Sequence, residues 1–259
     1  MKDKTLGFIG GGRITRIMLN AFVRAKEKFK DIVVFDIDKE MFPKLKNINS
    51  SVKTGADFMD SAAKCDIVIL SVHPPVLKEM FPKIRLHLKK ESIVISLAPK
   101  ITLENIQSEL NDHQAVVRAN PSAPAMLNCG ITPVSFAETV NNSQKKIVTE
   151  MFKTLGKVPV VEEKKLEAYA MISAMGPTYF WFQLHKLKEL GIKFGMDEDE
   201  AQKVIADMVT GTARILFESG LSHLEVMDLV PVKPLSDYEK TIKGYYDEKL
   251  NTIFDKIKT

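Results

Sequence analysis

The sequence predicts an α/β protein, a doubly wound sheet in its N-terminal part followed by an all-helical domain. Three observations predict it. Short apolar runs alternate with helical periodicity up to about residue 160, the pattern of a parallel sheet covered by helices. Those runs carry Val and Ile consecutively, as strands do when both sheet faces are buried. Beyond about residue 162 no strand-like run survives, and the rest is helical pattern interrupted by Gly and Pro.

In chain order the strand-like runs are Thr5–Ile9, Ile32–Phe35, Ile67–Ser71, Ile93–Leu97, Val116–Ala119, Ile131–Phe136 and Val158–Val161. Helical segments lie between them at Ile14–Arg24, Pro75–Leu88, Leu103–Leu110 and Gln144–Leu155. Turn signals separate the pieces, among them Lys-Thr-Gly at 53–55 and His-Pro-Pro at 73–75. This gives two domains, 1–162 and 163–259. In the second, Pro177 opens an apolar helix through Leu190, since proline is tolerated in a helix's first turn, and Gly191 and Gly195 mark the turn after it. Asp197 is placed to cap the next helix, with Glu200 completing a capping box, and that helix runs to about Glu218 before Gly220. The last helix spans roughly Ser236 to Lys256, with Gly244 as its one breaker. Phe180, Trp181, Phe182, Leu184 and Leu187 leave little polar surface on the first of these helices. A helix apolar almost all round is buried on several sides, so a second subunit is the expected cover, and the helical domain is read as a homodimerisation domain.

The composition excludes several function classes. With 259 residues and 45% hydrophobic content the chain can bury a substantial core. The balance of 37 basic against 33 acidic residues gives a net charge of +4. The lysines form scattered doublets at 89–90, 145–146 and 164–165 rather than a basic block, so no nucleic-acid partner is expected. Cys65 and Cys129, the only cysteines, have no metal or redox spacing and read as thiols of a reducing compartment. Met1–Lys4 leads directly into an apolar strand without a leader pattern, and no apolar run approaches a membrane span. A cytoplasmic protein is the expectation.

The chemistry begins at Leu6-Gly7-Phe8-Ile9-Gly10-Gly11-Gly12-Arg13-Ile14-Thr15, which reads as strand, glycine turn and first helical turn. A G-x-G-x-x-G pattern alone says little; here it follows the first strand, and Asp36 ends the next one. That is the fingerprint of a Rossmann dinucleotide site. Gly10 makes the tight turn, Gly12 admits the pyrophosphate to amides at the helix N-terminus, and Thr15 takes the third glycine position. Asp36 suits the ribose hydroxyls of NAD and repels a 2′-phosphate, so NAD(H) is favoured; with Lys39 nearby to offset that repulsion, NADP(H) stays possible. The plainer reading of Asp36 is a solvated acid after a strand.

The stretches Ser71–Pro74, Val117–Ala125 and Ser173–Tyr179, taken together with the fingerprint, resemble the pyrroline-5-carboxylate reductases, the last enzymes of proline synthesis. Ser71-Val72-His73-Pro74 stands where the family has Ala-Val-Lys-Pro, and Val117-Arg118-Ala119-Asn120-Pro121-Ser122-Ala123-Pro124-Ala125 resembles its Arg-Ala-Met-Pro-Asn-Thr-Pro-Ala. Ser173-Ala174-Met175-Gly176-Pro177-Thr178-Tyr179 is similar to the Ser-Gly-Ser-Gly-Pro-Ala-Tyr that opens the family's dimerising helical domain. Gly211-Thr212-Ala213 and Glu218-Ser219-Gly220 match the next helix and its end. One segment departs from the pattern. After Asp228-Leu229-Val230 the family's Ser-Pro-Gly-Gly-Thr-Thr loop supplies amides and a hydroxyl to the substrate; this chain has Pro231-Val232-Lys233-Pro234-Leu235-Ser236, without glycine and with prolines that remove donors.

The resemblance implies reduction of a cyclic imine, pyrroline-5-carboxylate or a related imino acid, by a nicotinamide cofactor. Hydride transfer to C=N needs placement more than strong acids or bases, which suits a sequence with no Ser-His-Asp set and no metal-ligand cluster. The cofactor-binding candidates are Gly10, Gly12, Arg13, Ile14, Asp36, Val72, His73, Ala98, Asn120 and Pro121, with Asn120 and Pro121 lining the nicotinamide. Ser173 and Lys233 are the substrate-side candidates: Ser173 binds substrate, and Lys233 replaces the lost amides as partner of its carboxylate. Plainer readings stand beside these: a loop amide for Asn120, a helix N-cap for Ser173, a surface histidine for His73 and an exposed lysine for Lys233. Two other functions compete. A β-hydroxyacid-type dehydrogenase also joins a Rossmann domain to helices, but its catalytic lysine has no counterpart after Gly176. A non-catalytic relative that keeps the cofactor pocket is compatible with the rewritten loop.

Overall fold

The computed structural model describes residues 1–258; Thr259, the last residue of the expected second domain, lies outside them. The elements follow in order: β1 (Thr5–Ile9), α1 (Arg13–Arg24), β2 (Asp31–Phe35), α2 (Met41–Ile48), β3 (Lys53–Gly55), α3 (Met59–Ala63), β4 (Ile67–Leu70), α4 (Pro74–Ile84), β5 (Ile93–Ser96), α5 (Leu103–Glu109), β6 (Val116–Ala119), β7 (Gly130–Ile131), β8 (Val134–Phe136), α6 (Asn142–Lys153) and β9 (Gly156–Lys157). The helical part adds α7 (Leu166–Tyr169), α8 (Pro177–Lys193), α9 (Glu198–Glu218), α10 (His223–Asp228) and α11 (Ser236–Ile257).

The apolar runs form a seven-stranded sheet in the order β3-β2-β1-β4-β5-β6-β8. Every pairing is parallel except that of β8 with β6. The order reverses at β1, whose neighbours β2 and β4 lead to opposite edges; such a switch point is where open α/β sheets place ligands. β1, β4, β5 and β6 are buried along almost their whole length, which accounts for consecutive Val and Ile where alternation would otherwise be expected.

Several expectations need correction. Lys53–Gly55, read as a turn, is strand β3, in register with Val33–Phe35; three residues are too few to show a periodicity. The short helices α2 and α3, of eight and five residues, also went unread. The run Ile131–Phe136 is divided into β7 and β8 around Thr132 and Pro133. Val158–Val161 is no strand: only Val160 forms a bridge, to Val134, because Pro159 has no N–H to continue a ladder. Gly191 lies within α8, and the turn is made at Gly195, with φ +107°. The Asp197 side chain accepts from the Glu200 amide at 2.7 Å, so it caps α9, but no reciprocal Glu200 bond completes a box.

Two compact units result: residues 1–175 together with the chain's last residues from Phe254, and residues 176–253. Residues 163–175, helical in pattern, thus pack with the sheet. Glu163 Oε1 accepts from the Leu103 amide at 2.7 Å, and Leu166, Glu167, Ala170 and Met171 are buried. In the second unit Ala201 is the sole buried apolar residue among those described.

Candidate nucleotide-binding site

The site is built on the turn between β1 and α1. Gly10 has φ +112°, and a Cβ there would sit 2.7 Å from the Ser71 carbonyl oxygen, so this position excludes other residues on both conformation and space. Gly12 is the N-cap of α1, with no side chain bonded to the helix's first amides. A Cβ on Gly12 would meet nothing within 4 Å. Uncapped N-terminal amides behind open space form a site for an anion, and a dinucleotide's pyrophosphate fits it.

Asp36, one residue past β2, reaches across to this turn. Its Oδ2 accepts from the Gly11 amide at 2.6 Å and its Oδ1 from the Asp38 amide at 2.8 Å. The carboxylate is therefore fixed beside the glycines and is not a freely solvated acid. Thr15, expected only to permit helix packing, is fully buried. Its hydroxyl donates to the Gly10 carbonyl at 2.7 Å and lies 3.1 Å from Ser71 Oγ, which reaches the same carbonyl at 2.9 Å. Two hydroxyls thus lock the turn from beneath. Sequence reading missed Ser71 and the role of Thr15 because the bond joins residues far apart in the chain; a small polar residue in the glycine slot was the available signal.

The remaining cofactor candidates lie at the carboxyl ends of neighbouring strands. Arg13 and Ile14 are the first residues of α1. Val72 and His73 follow β4, with His73 exposed at the N-cap of α4 and making no side-chain cap bond. Ala98, buried, follows β5. Asn120 and Pro121 follow β6, and the Asn120 amide donates to the Pro133 carbonyl at 3.1 Å. The structure therefore brings all the cofactor candidates to one edge of one sheet. Of the substrate candidates, Ser173 belongs to the first unit and Lys233 to the second. Ser173 lies in a π-helical turn over Ala170–Ala174, where its hydroxyl donates to the Tyr169 carbonyl at 2.8 Å; the N-cap of α8 is Gly176, so the N-cap reading of Ser173 is incorrect. Lys233 is an exposed residue of the second unit, between α10 and α11.

A buried ionic cluster stands beside this edge. Arg118, in β6 and 3% exposed, donates from Nη1 to Glu163 Oε1 at 2.8 Å and from Nη2 to Glu167 Oε1 at 2.6 Å. An arginine inside a four-residue apolar strand must be paired to be tolerated. That necessity, and two acids four residues apart, were the signals in the sequence for a cluster that motif reading passed over.

Residues 5–100 match a family described as NADP oxidoreductase coenzyme F420-dependent, and residues 163–232 match pyrroline-5-carboxylate reductase dimerisation. The pyrroline-5-carboxylate reductase of Escherichia coli (strain K12) is 24% identical over 229 residues, covering 88% of this chain and 85% of that protein. The Mycobacterium tuberculosis (strain ATCC 25618 / H37Rv) enzyme is 27% identical over 219 residues, 82% of this chain and 74% of that one. Among solved structures, a Coxiella burnetii pyrroline-5-carboxylate reductase superimposes with TM-score 0.70 at 27% identity, over 99% of this chain and 95% of that one. A Plasmodium falciparum pyrroline carboxylate reductase with NADP bound shares the fold at TM-score 0.84 and 20% identity, over 99% and 97% of the two chains. A glycine-turn nucleotide edge, followed by a helical region that matches the reductases' own dimerisation domain, makes this chain similar to the pyrroline-5-carboxylate reductases over most of its length, and it is an NAD(P)-dependent oxidoreductase.

Proposed function

We propose that the protein reduces a cyclic imine, pyrroline-5-carboxylate or a closely related imino acid, with NADH as the favoured reductant. The observation that carries this reading is the sheet edge, where open space over Gly12 and the uncapped start of α1 lie at the same carboxyl ends of the strands as Ala98, Asn120 and Pro121. A bound nicotinamide supplies hydride to the C=N carbon. In this reading Gly10, Gly12, Arg13 and Ile14 hold the pyrophosphate, while Asp36 accepts from the ribose hydroxyls. Val72, His73, Ala98, Asn120 and Pro121 line the path to the nicotinamide.

Ser173 donates its own proton to the Tyr169 carbonyl, which leaves its oxygen as an acceptor for a protonated imine nitrogen. Lys233 holds the substrate carboxylate in place of the amides that Pro231 and Pro234 do not provide. The proposed assignment of residues 1–162 mainly to cofactor and 163–259 mainly to assembly and substrate follows the same division of labour.

Steady-state NADH oxidation with pyrroline-5-carboxylate and its six-membered homologue tests this reading, repeated on Lys233→Ala. Turnover of at least one imine is expected. The variant should raise KM about tenfold or more with kcat little changed, since a charge-assisted bond kept in both ground and transition states contributes roughly 1.5–3 kcal/mol of binding. Cofactor binding without turnover of either imine would instead favour a non-catalytic nucleotide-binding relative, the reading that the rewritten loop recommends.

A further inference from the structure

Within the first unit, a cavity of about 130 Å³ lies behind the nucleotide edge, against Ala98, Ala119 and Asn120. Its wall is apolar at Leu97, Leu166 and Ala170, and Arg118 and Glu167 supply its charges. Glu167 is 3% exposed. One of its oxygens receives Arg118; the other, Oε2, is buried and has no hydrogen-bond partner. Around Arg118 two carboxylates face one guanidinium, so the cluster has acceptors and negative charge in excess. An unpaired buried carboxylate oxygen is costly, and the deficit is met by a ligand that brings an N–H or O–H. A cavity of this volume is too small for a whole dinucleotide and adequate for one planar terminal group.

We propose that Glu167 Oε2 is the acceptor that seats the carboxamide NH₂ of the nicotinamide, making Glu167 a cofactor-positioning residue held in place by Arg118. This rests on the nicotinamide reading above. The strand ends that border the cavity, those of β5 and β6, carry the cofactor candidates Ala98 and Asn120, and a primary amide is the donor that the cofactor's reactive end carries. Arg118 fixes the polarity of the site. It donates to whichever oxygen faces it, so in Glu167→Gln the amide oxygen turns to Arg118 and an NH₂ replaces the acceptor at the cavity.

The test compares NAD⁺, ADP-ribose and 3-acetylpyridine adenine dinucleotide, in which a methyl replaces the carboxamide NH₂, by calorimetric titration. Wild type should bind NAD⁺ roughly tenfold more tightly than the acetyl analogue, the loss expected for one bond to a charged acceptor. In Glu167→Gln that preference should fall to about one. Glu163→Gln, which likewise neutralises a carboxylate facing Arg118 but lies outside the cavity, should retain it. Equal wild-type affinity for NAD⁺ and the analogue overturns the proposal and means that the cavity holds water alone; ADP-ribose binding in that case leaves the cofactor reading standing. If wild type binds none of the three nucleotides, the cofactor reading fails and the proposal with it. The wild-type comparison decides the matter even if the Gln variant does not fold.

Discussion

In the proposed reading Asp36 serves both the glycine turn and the choice of cofactor. Its two carboxylate oxygens accept from the Gly11 and Asp38 amides, which fixes a negative charge beside the glycine turn. A 2′-phosphate brought to that position meets a like charge that cannot swing away, whereas ribose hydroxyls meet an acceptor. NADH should therefore bind about tenfold more tightly than NADPH, a difference of roughly 1.4 kcal/mol. Titrating both at one ionic strength checks this, and tighter NADPH binding would show that a cation such as Lys39 dominates the pocket. The glycines and this acid were legible in the sequence because the turn's demands are local. Ser71, its contact with Thr15 and the Arg118 cluster were not, since those partners are separated by tens of residues.

At the scale of elements, the sheet is joined at its strand entries as well as along its ladders. Asp66, one residue before β4, accepts from both the Thr5 amide and the Thr5 hydroxyl at 2.9 Å, and Lys89 Nζ donates to its other oxygen at 2.9 Å. Burial pushes its carboxyl upward, but these donors outweigh burial and hold it down at about 2. A carboxylate depressed in the folded state contributes stability that is present above its unfolded value near 3.9 and is lost as pH falls through about 2. The side chain is 31% exposed, so Asp66→Asn should cost only about 1 kcal/mol at neutral pH. Urea unfolding at several pH values should show the two proteins converging between about pH 4 and 2; a constant difference would assign the loss to something other than the charge. Strand identity itself was legible wherever a run was long and apolar. It failed at β3 and at Val158–Val161, where three-residue length in one case and Pro159 in the other decided the outcome.

For the whole molecule, the second unit has too little interior to stand alone. Ala201 is its one buried apolar residue among those described, while Phe180, Trp181, Phe182 and Phe217 are 52, 53, 68 and 81% exposed. An exposed apolar surface of this kind marks an interface, and this region matches the dimerisation domain of the reductases. Light scattering at micromolar concentration should find a dimer or a larger homo-oligomer, and its Tm should rise with protein concentration, as it does when folding and association are coupled. A stable monomer with a concentration-independent Tm would sink the idea. No described helix is long and apolar enough to cross a membrane.

By itself the sequence determined the alternating strands and helices, the glycine turn with its acid, and the change to helical pattern near residue 162. Each depends on neighbours in the chain: periodicity, turn conformation and the absence of a Cβ act over a few residues. Only the tertiary structure decided that the cofactor candidates share one edge, that residues 163–175 pack with the sheet, and that Arg118 leaves one oxygen of Glu167 unpaired beside a cavity. Those are consequences of strand order and of the pairing that a buried charge demands. Neither is visible until residues distant in sequence have been packed together.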